Sequence, residues 1–202
     1  MLIVFEGLDQ SGKETQARQL RTRLQQDKRT VRALSFPDYE TPIGRELRHA
    51  LDGERDFGPE VMQLLYIANR FEHKPRLVHW LEAGDLIVCD RYRASSVAYG
   101  EAQGLDVTWL EEMQRHLPQP TVTVLLDIHP ETAAARKQVN RDRYERDLVM
   151  LARVRDSYLR QAAEGGWVTV DAQQSREAVA EAVMAAVLPR LSPRPSLSPW
   201  PR

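Results

Sequence analysis

The chain alternates short apolar runs with longer segments of helical periodicity. The apolar runs, rich in β-branched side chains, occupy positions 2–5, 31–36, 86–89, 122–126 and 167–170. Continuous runs of this kind are typical of strands that are buried on both faces, and strands separated by helices form parallel sheets. We therefore expect an α/β fold in which a five-stranded parallel sheet lies between two layers of helices.

The intervening segments carry helix signals. Thr41 followed by Pro42 reads as an N-cap with proline at the first helical position. A longer helix is expected over 59–83 with a bend near Pro75, because proline removes a backbone donor, and Gly84 should end it. Apolar stripes at helical spacing support further helices. These stripes are Ala17, Leu20 and Leu24; Leu110, Met113 and Leu117; and Val179, Val183 and Val187.

Length and composition narrow the possible functions. The 202 residues suit one domain, predicted over 1–188, and the segment 189–202 reads as a loose tail because it holds five of the twelve prolines. With 28 basic and 29 acidic residues, no basic field favours nucleic acid or an anionic membrane as partner. The run at 2–5 is too short for a signal peptide, and the single Cys89 suits a buried thiol in a reducing compartment. We expect a soluble, cytoplasmic protein.

The first strand leads directly into a glycine-bounded loop and then a helical pattern, which is the context of a Walker A phosphate-binding loop. Backbone N–H groups of such a loop point at phosphate oxygens, and Lys13 reaches the β- and γ-phosphates of ATP. A strand-to-helix turn without a ligand is the alternative, and the correct order of strand, loop and helix disfavours it. The candidate ATP-binding residues here are Gly7, Leu8, Asp9, Gln10, Ser11, Gly12, Lys13, Glu14 and Thr15.

The loop departs from the Walker A pattern at Glu14, where Ser or Thr normally ligates Mg²⁺. A carboxylate can bind Mg²⁺ directly, but it also brings negative charge near a polyphosphate. We therefore expect the metal to be held by nucleotide phosphates, water and either Glu14 or Asp90. Thr15 faces another direction and is expected to contact the α-phosphate.

An acid and an arginine, Asp90 and Arg91, follow the third apolar run. They should lie at the carboxyl edge of the sheet, where ligands bind in such folds. Asp90 can orient Mg²⁺-bound water, and the planar fork of Arg91 can grip a phosphate. A solvated ion pair at a strand end is the alternative, which the neighbouring phosphate loop disfavours.

These residues resemble the thymidylate kinases, a family of nucleoside monophosphate kinases with the P-loop NTPase fold. The resemblance spans nearly the whole chain, and it rests on the order and spacing of several short motifs. They are FEGLD at 5–9, FP at 36–37, ANR at 68–70, DRY at 90–92 with Ser95, Ala98 and Tyr99, LD at 126–127 with PE at 130–131, DRYE at 142–145 and VDA at 170–172.

The resemblance implies transfer of the γ-phosphoryl group of ATP to dTMP with Mg²⁺ as cofactor, in a homodimer. It implies that Asp9 accepts a hydrogen bond from the 3′-hydroxyl of dTMP, that Tyr66 stacks on thymine and that Arg70 reads its carbonyl edge. Tyr66 alone could equally be a core residue, whereas Arg70 is harder to bury without a partner. The acceptor-binding residues implied, mostly within about 36–72, are Asp9, Phe36, Pro37, Leu51, Tyr66, Arg70, Arg91, Ser95 and Tyr99.

The segment 135–147 is rich in basic residues and has almost nothing to bury. A solvated helix face would look similar. The resemblance implies that this segment is the lid that closes over ATP. Arg143 would then act at the transferring phosphoryl group, with Arg136 and Arg141 as supporting cations. Gln10 fits the members of the family that place this arginine in the lid. The predicted catalytic set is Asp9, Lys13, Arg91 and Arg143.

Other positions depart from the family pattern. Ser35 and Tyr39 stand where many relatives have arginines near the acceptor phosphate, and Gly100 replaces a common glutamine. Two alternatives therefore remain open: a kinase for another nucleoside monophosphate or a deoxynucleoside, and a degenerate P-loop that binds nucleotide as a regulatory module.

Overall fold

A computed structural model describes residues 1–136 and 147–191. The strands are β1 (Leu2–Glu6), β2 (Val31–Ser35), β3 (Leu86–Asp90), β4 (Val122–Asp127) and β5 (Val168–Asp171). The helices are α1 (Lys13–Gln26), α2 (Pro42–Leu51), α3 (Pro59–Glu82), α4 (Arg93–Ala102), α5 (Val107–Met113), α6 (Pro130–Arg136), α7 (Leu148–Gly165) and α8 (Arg176–Val187), after which a 3₁₀ turn spans Leu188–Arg190.

The five strands form one parallel sheet with the order β2-β3-β1-β4-β5. The predicted α/β fold with a five-stranded parallel sheet is confirmed. Because β1 lies at the centre, between β3 and β4, the segments that follow β1 and β3 meet at the carboxyl edge of the sheet. That is the edge where parallel α/β sheets bind their ligands.

Helices cover both faces of the sheet, and alternate side chains of β1 show how. Phe5 belongs to a buried cluster with Leu20 of α1 and Val183 of α8. Val4 points to the opposite face, where it belongs to a cluster with Leu77 of α3. The central strand is therefore buried on both sides, as its continuous apolar sequence requires.

Two predicted helix boundaries are confirmed. Thr41 caps α2, since its hydroxyl accepts a hydrogen bond from the Gly44 N–H, and Pro42 is the first residue of that helix. The long helix α3 ends where predicted, before Gly84, which has a left-handed φ of +78°. Pro75 lies inside this helix. Of the predicted tail 189–202, the first residues complete the 3₁₀ turn, and 192–202 lie outside the described residues.

Cys89 is fully buried in β3, and burial raises the pKa of its thiol well above the usual value. This agrees with the structural role expected from the sequence. Among the helices in 1–136 and 147–191, none combines the length and the apolar composition needed to cross a bilayer.

Candidate active site

The loop after β1 turns tightly because three of its residues have left-handed backbones. Gly7, Gln10 and Gly12 have φ values of +139°, +64° and +92°. A Cβ on Gly7 would lie 2.5 Å from the carbonyl oxygen of Leu126, so only glycine fits there. When left-handed residues alternate with ordinary ones in this way, consecutive backbone N–H groups turn toward the inside of the loop, where a phosphate can bind.

Lys13 begins α1 directly after this loop and is 5% exposed. Its Nζ donates a hydrogen bond to the carbonyl oxygen of Leu8 at 2.7 Å. Burial, together with the nearby charge of Arg91, lowers the pKa of Lys13 to about 8. The Ser11 hydroxyl is buried and has no hydrogen-bond partner within the described residues. A phosphate in the loop would give both groups an anionic partner.

Arg91 lies beside the loop and joins it to the end of β3. Its Nη2 donates to Asp9 Oδ1 at 2.6 Å and to the Tyr99 hydroxyl at 3.4 Å. Tyr99 in turn donates to Asp9 Oδ2 at 3.2 Å. Loss of solvent opposes ionisation of Asp9, but Arg91 and Lys13 outweigh it and hold the pKa of that carboxyl well below its usual range. Asp9 is thus a carboxylate fixed by cations.

The other terminal nitrogen of Arg91 faces the interior. Its Nη1 donates to Ser95 Oγ at 3.0 Å and to the Tyr158 hydroxyl at 3.2 Å. Both hydroxyls lie against Glu6, which is fully buried: Ser95 at 2.7 Å and Tyr158 at 3.2 Å from Oε2. Arg91 itself has a left-handed backbone with φ of +61°, a conformation that non-glycine residues rarely adopt.

Two carboxylates line one cleft of about 360 Å³ beside the loop: Asp90 at the end of β3 and the exposed Glu14 of α1. Asp90 Oδ1 is buried without a hydrogen-bond partner within the described residues, and burial raises the pKa of this carboxyl. Hard oxygen ligands of this kind suit Mg²⁺, and an orphaned carboxylate oxygen gains a partner when a cation binds. The residues present therefore fit the metal.

Arg136, the last residue of α6, reaches back over the loop. Its Nη1 donates to the carbonyl oxygen of Gln10 at 3.0 Å, and its Nη2 donates to that of Ala172 at 2.8 Å. This places a cation between the phosphate loop and the turn after β5. Arg141 and Arg143 lie outside the described residues, so their predicted roles stay predictions.

The residues predicted around the thymine base are distributed over two buried clusters. Leu51 and Tyr66 are partly buried and each packs against the cluster that α2 and α3 form. Phe36 lies in the sheet cluster, with His73 edge-on at 5.3 Å and Tyr92 at 6.0 Å between ring centroids. Pro37 follows Phe36 through a cis peptide bond. The first cluster contacts the N-terminal half of α3 through Met62, and the second contacts its C-terminal half through Leu77.

Arg70 of α3 is 3% exposed and is held by polar side chains. Its Nη1 donates to Ser96 Oγ at 2.7 Å and to Gln114 Oε1 at 3.3 Å. The amide of Gln114 is itself fixed, because its Nε2 donates to backbone carbonyl oxygens of α4 and α5. Gly100 of α4 allows α5 to pack closely against α4, since a Cβ there would lie 2.6 Å from Leu110 Cδ1.

Asn69, the neighbour of Arg70, fastens the segment between β2 and α2 to α3. Its Oδ1 accepts from the Asp38 N–H at 2.9 Å. Its Nδ2 lies 2.7 Å from Thr41 Oγ1, 2.9 Å from Glu72 Oε2 and 3.1 Å from the Asp38 carbonyl oxygen. A Cβ on Gly44 would lie 1.8 Å from that same carbonyl oxygen, so the segment also packs closely against α2.

The structure brings most predicted residues together and adds others. Asp9, Lys13, Arg91, Ser95 and Tyr99 meet at the carboxyl edge of the sheet, and Arg136 joins the loop. Sequence reasoning assigned no role to Glu6, Asn69, Ser96, Gln114 and Tyr158. For Glu6 a signal existed, since an acid ends a fully buried strand. For Tyr158 the signal was weaker: it shares an apolar helical stripe, and a buried hydroxyl there needs a partner.

Comparison with known proteins agrees with this geometry. The family model described as thymidylate kinase matches residues 5–183. A solved structure of thymidylate kinase from Candida albicans superposes with a TM-score of 0.83 at 29% identity, covering 93% of this chain and 91% of that one. Its description refers to broad substrate specificity.

Curated thymidylate kinases are similar over most of the chain. The protein from Arabidopsis thaliana is 34% identical over 187 residues, which covers 93% of this chain and 70% of that protein. The protein from Plasmodium falciparum is 36% identical over 176 residues, covering 87% and 83%. The protein from Schizosaccharomyces pombe is 34% identical over 183 residues, covering 88% and 87%. The chain therefore belongs to the thymidylate kinase family.

Proposed function

We propose that this protein transfers the γ-phosphoryl group of ATP to dTMP and so forms dTDP. The observation that carries the proposal is the meeting of two anion-binding groups at one sheet edge. The phosphate loop with Lys13 lies on one side, and Arg91, which follows β3 and pairs with Asp9 of the loop, lies on the other. Two polyanions can approach each other there because cations offset their repulsion.

Catalysis in this site depends on positioning the two nucleotides and on neutralising the charge of their phosphates. The acceptor is a phosphate monoester with a second pKa of about 6, so it is already ionised at neutral pH and needs no general base. Lys13 would hold the β- and γ-phosphates, and Arg91 would bind oxygens of the acceptor or transferring phosphoryl group. Arg143 would supply a further cation when the segment that contains it covers ATP.

Mg²⁺ would be held by Asp90 and Glu14 together with nucleotide phosphates and water. Within the described residues, no three His, Cys, Asp or Glu side chains come together as a metal site. The protein thus offers two carboxylates, and the nucleotide must complete the coordination. When bound, the ion neutralises charge on the β- and γ-phosphates.

The acceptor would be recognised by residues of α2, α3 and α4 and of the segment after β2. Tyr66 with Leu51 and Phe36 would form the apolar walls around thymine, and Arg70 would donate to its carbonyl edge. Ser95 and Tyr99, held beside Asp9 through Arg91, would line the sugar. Asp9 would accept a hydrogen bond from the 3′-hydroxyl, and Arg136 with Thr15 and Arg141 would contact ATP.

Two further features remain proposals. A homodimer follows from the resemblance to thymidylate kinases, and equilibrium sedimentation of the purified chain tests it. The cytoplasmic location stays a prediction of the sequence.

A coupled assay of ADP release tests the function. Purified protein with ATP and Mg²⁺ is given dTMP, dUMP, CMP, UMP, GMP or thymidine in parallel. We expect turnover to be fastest with dTMP. A higher kcat/KM for another acceptor would replace dTMP in the proposal, and ATP binding without turnover on any acceptor would favour the regulatory module instead.

A further inference from the structure

Tyr158 places a buried hydroxyl from α7 against the arginine at the centre of the site. The residue is 1% exposed, and its hydroxyl lies 3.2 Å from Arg91 Nη1, 2.8 Å from Ser95 Oγ and 3.2 Å from Glu6 Oε2. No motif in the sequence singles out this tyrosine. Its three contacts nevertheless join α7, α4, β1 and the residue that follows β3 at one point.

The direction of these hydrogen bonds is set by the chemistry of their ends. A guanidinium group only donates, a carboxylate only accepts, and a hydroxyl has one donor and two lone pairs. Ser95 and Tyr158 must therefore accept from Arg91, and their own hydrogens must point toward Glu6 or toward each other. Glu6 also accepts from the Tyr92 N–H at 2.8 Å, which fixes the carboxylate in place. The hydroxyl pair thus links a buried acid to Arg91.

The two terminal nitrogens of Arg91 consequently have different surroundings. Nη1 faces two hydroxyls in the closed interior. Nη2 faces Asp9, whose side chain is 36% exposed, on the side that is open to ligands. A phosphate oxygen can replace the long contact of Nη2 with the Tyr99 hydroxyl, at 3.4 Å, while Nη1 keeps both of its partners.

The position of Tyr158 is itself fixed. One helical turn earlier on α7, Arg155 makes a two-bond ion pair with Asp127 at the end of β4, at 2.7 and 2.8 Å. The tyrosine hydroxyl is thus held relative to the sheet, as a residue that orients another must be. The neighbouring Ser157 hydroxyl bonds outside this network, to Glu101 of α4.

We propose that Tyr158 is a positioning residue that holds Nη1 of Arg91, so that Nη2 is oriented for the phosphate of the acceptor. This rests on the proposed function, because Arg91 is taken to act on phosphate. Small errors in the position of a catalytic cation reduce rate strongly, so the hydroxyl should affect turnover more than ATP binding.

The first test compares two hydroxyl deletions on one helix. Tyr158→Phe keeps the ring, and therefore the packing, and removes only the hydroxyl. We expect kcat with dTMP to fall about tenfold while the KM for ATP stays within about twofold, because a hydrogen bond to a charged group is lost. Ser157→Ala removes a buried hydroxyl that bonds to Glu101 instead, and its kcat should match the wild type. Equal losses in the two variants, or none in Tyr158→Phe, would overturn the proposal.

The second test separates positioning of Arg91 from a general structural effect. In an Arg91→Ala background, Tyr158→Phe should lower neither the residual kcat nor the affinity for dTMP any further, because the partner is gone. A second loss of similar size would show that the tyrosine acts elsewhere. Failure of the proposed function would give a different result, because the wild-type protein itself would then leave dTMP unchanged.

Discussion

Nη2 of Arg91 lies 2.6 Å from Oδ1 of Asp9, and each side chain stabilises the charge of the other. The pKa of Asp9 is held low despite its partial loss of solvent, and the pKa of Arg91 is raised well above its usual value by Asp9 even though burial opposes this. The pair therefore stays ionised throughout the range in which nucleotides are multiply charged.

Asp9→Asn should lower kcat/KM for dTMP by about a hundredfold or more. The substitution removes both the acceptor for the 3′-hydroxyl and the charge that orients Arg91. Steady-state kinetics with saturating ATP measure the loss. Asp27→Asn, at the C-terminal cap of α1, is the matched control and should behave as wild type. A variant Asp9→Asn with wild-type kcat/KM would remove Asp9 from the site.

ATP binding to the free protein should weaken as pH rises through about 8. The pKa of Lys13 is about 8 in the ligand-free site, so its charge is lost above that pH, and ATP must then restore a proton to it. Calorimetry at pH 8–9 in buffers of different ionisation enthalpy should show proton uptake. Lys13→Arg keeps its charge and should bind ATP with little dependence on pH in this range. Affinity that is flat in wild type would contradict the assignment.

Gly44→Ala should destabilise the fold, because its Cβ would lie 1.8 Å from the Asp38 carbonyl oxygen and the segment after β2 must move. We expect a loss of about 1–3 kcal/mol in the free energy of unfolding and a raised KM for dTMP. Gly58→Ala is the control, since its Cβ meets only Glu60 Oε2, at 3.5 Å. Denaturant titration of both variants gives the comparison, and equal stabilities would refute the steric argument.

Asn69→Ala should leave the Asp38 N–H and its neighbours without their partner. Unsatisfied buried groups cost about 1–3 kcal/mol, and the loosened segment should raise the KM for dTMP more than that for ATP. The ratio of the two KM values is the measurement. Gln173→Ala, an exposed residue bonded to Thr132, should change neither. Parallel increases in both KM values would show that Asn69 supports the fold generally.

Asp90→Asn should raise the Mg²⁺ concentration that gives half-maximal turnover by about tenfold, because a carboxylate near the ion is lost. Glu14→Gln should act in the same direction, because this exposed acid lines the same cleft. Glu40→Gln, an exposed acid after β2, is the control. An unchanged Mg²⁺ requirement in both site variants would place the ion elsewhere.

Local signals explain why much of the fold could be predicted. Buried strands show in the sequence as apolar runs, and the Thr41 cap needs only residues that are three positions apart. The Walker A loop is equally local, because its strand, glycines and lysine follow one another. Arg91 and Asp90 could be placed because parallel strands bring their carboxyl ends to one edge.

Contacts between distant positions could not be predicted in this way. Glu6 and Tyr158 are 152 positions apart, and nothing in either segment identifies the other as its partner. Arg70 was expected to face a ligand, but its contacts with Ser96 and Gln114 depend on how α5 packs on α4. Such pairings arise from tertiary packing, which periodicity and short motifs do not encode.

At Arg91 the left-handed backbone costs stability, whereas the side chain is needed for activity. With φ at +61°, this position suits glycine, and a side chain there costs on the order of 1–3 kcal/mol. Backbone strain alone would favour glycine, yet glycine has no guanidinium group to pair with Asp9 or to offer a phosphate. Engineering for heat tolerance should therefore leave this position untouched and look for its gains elsewhere.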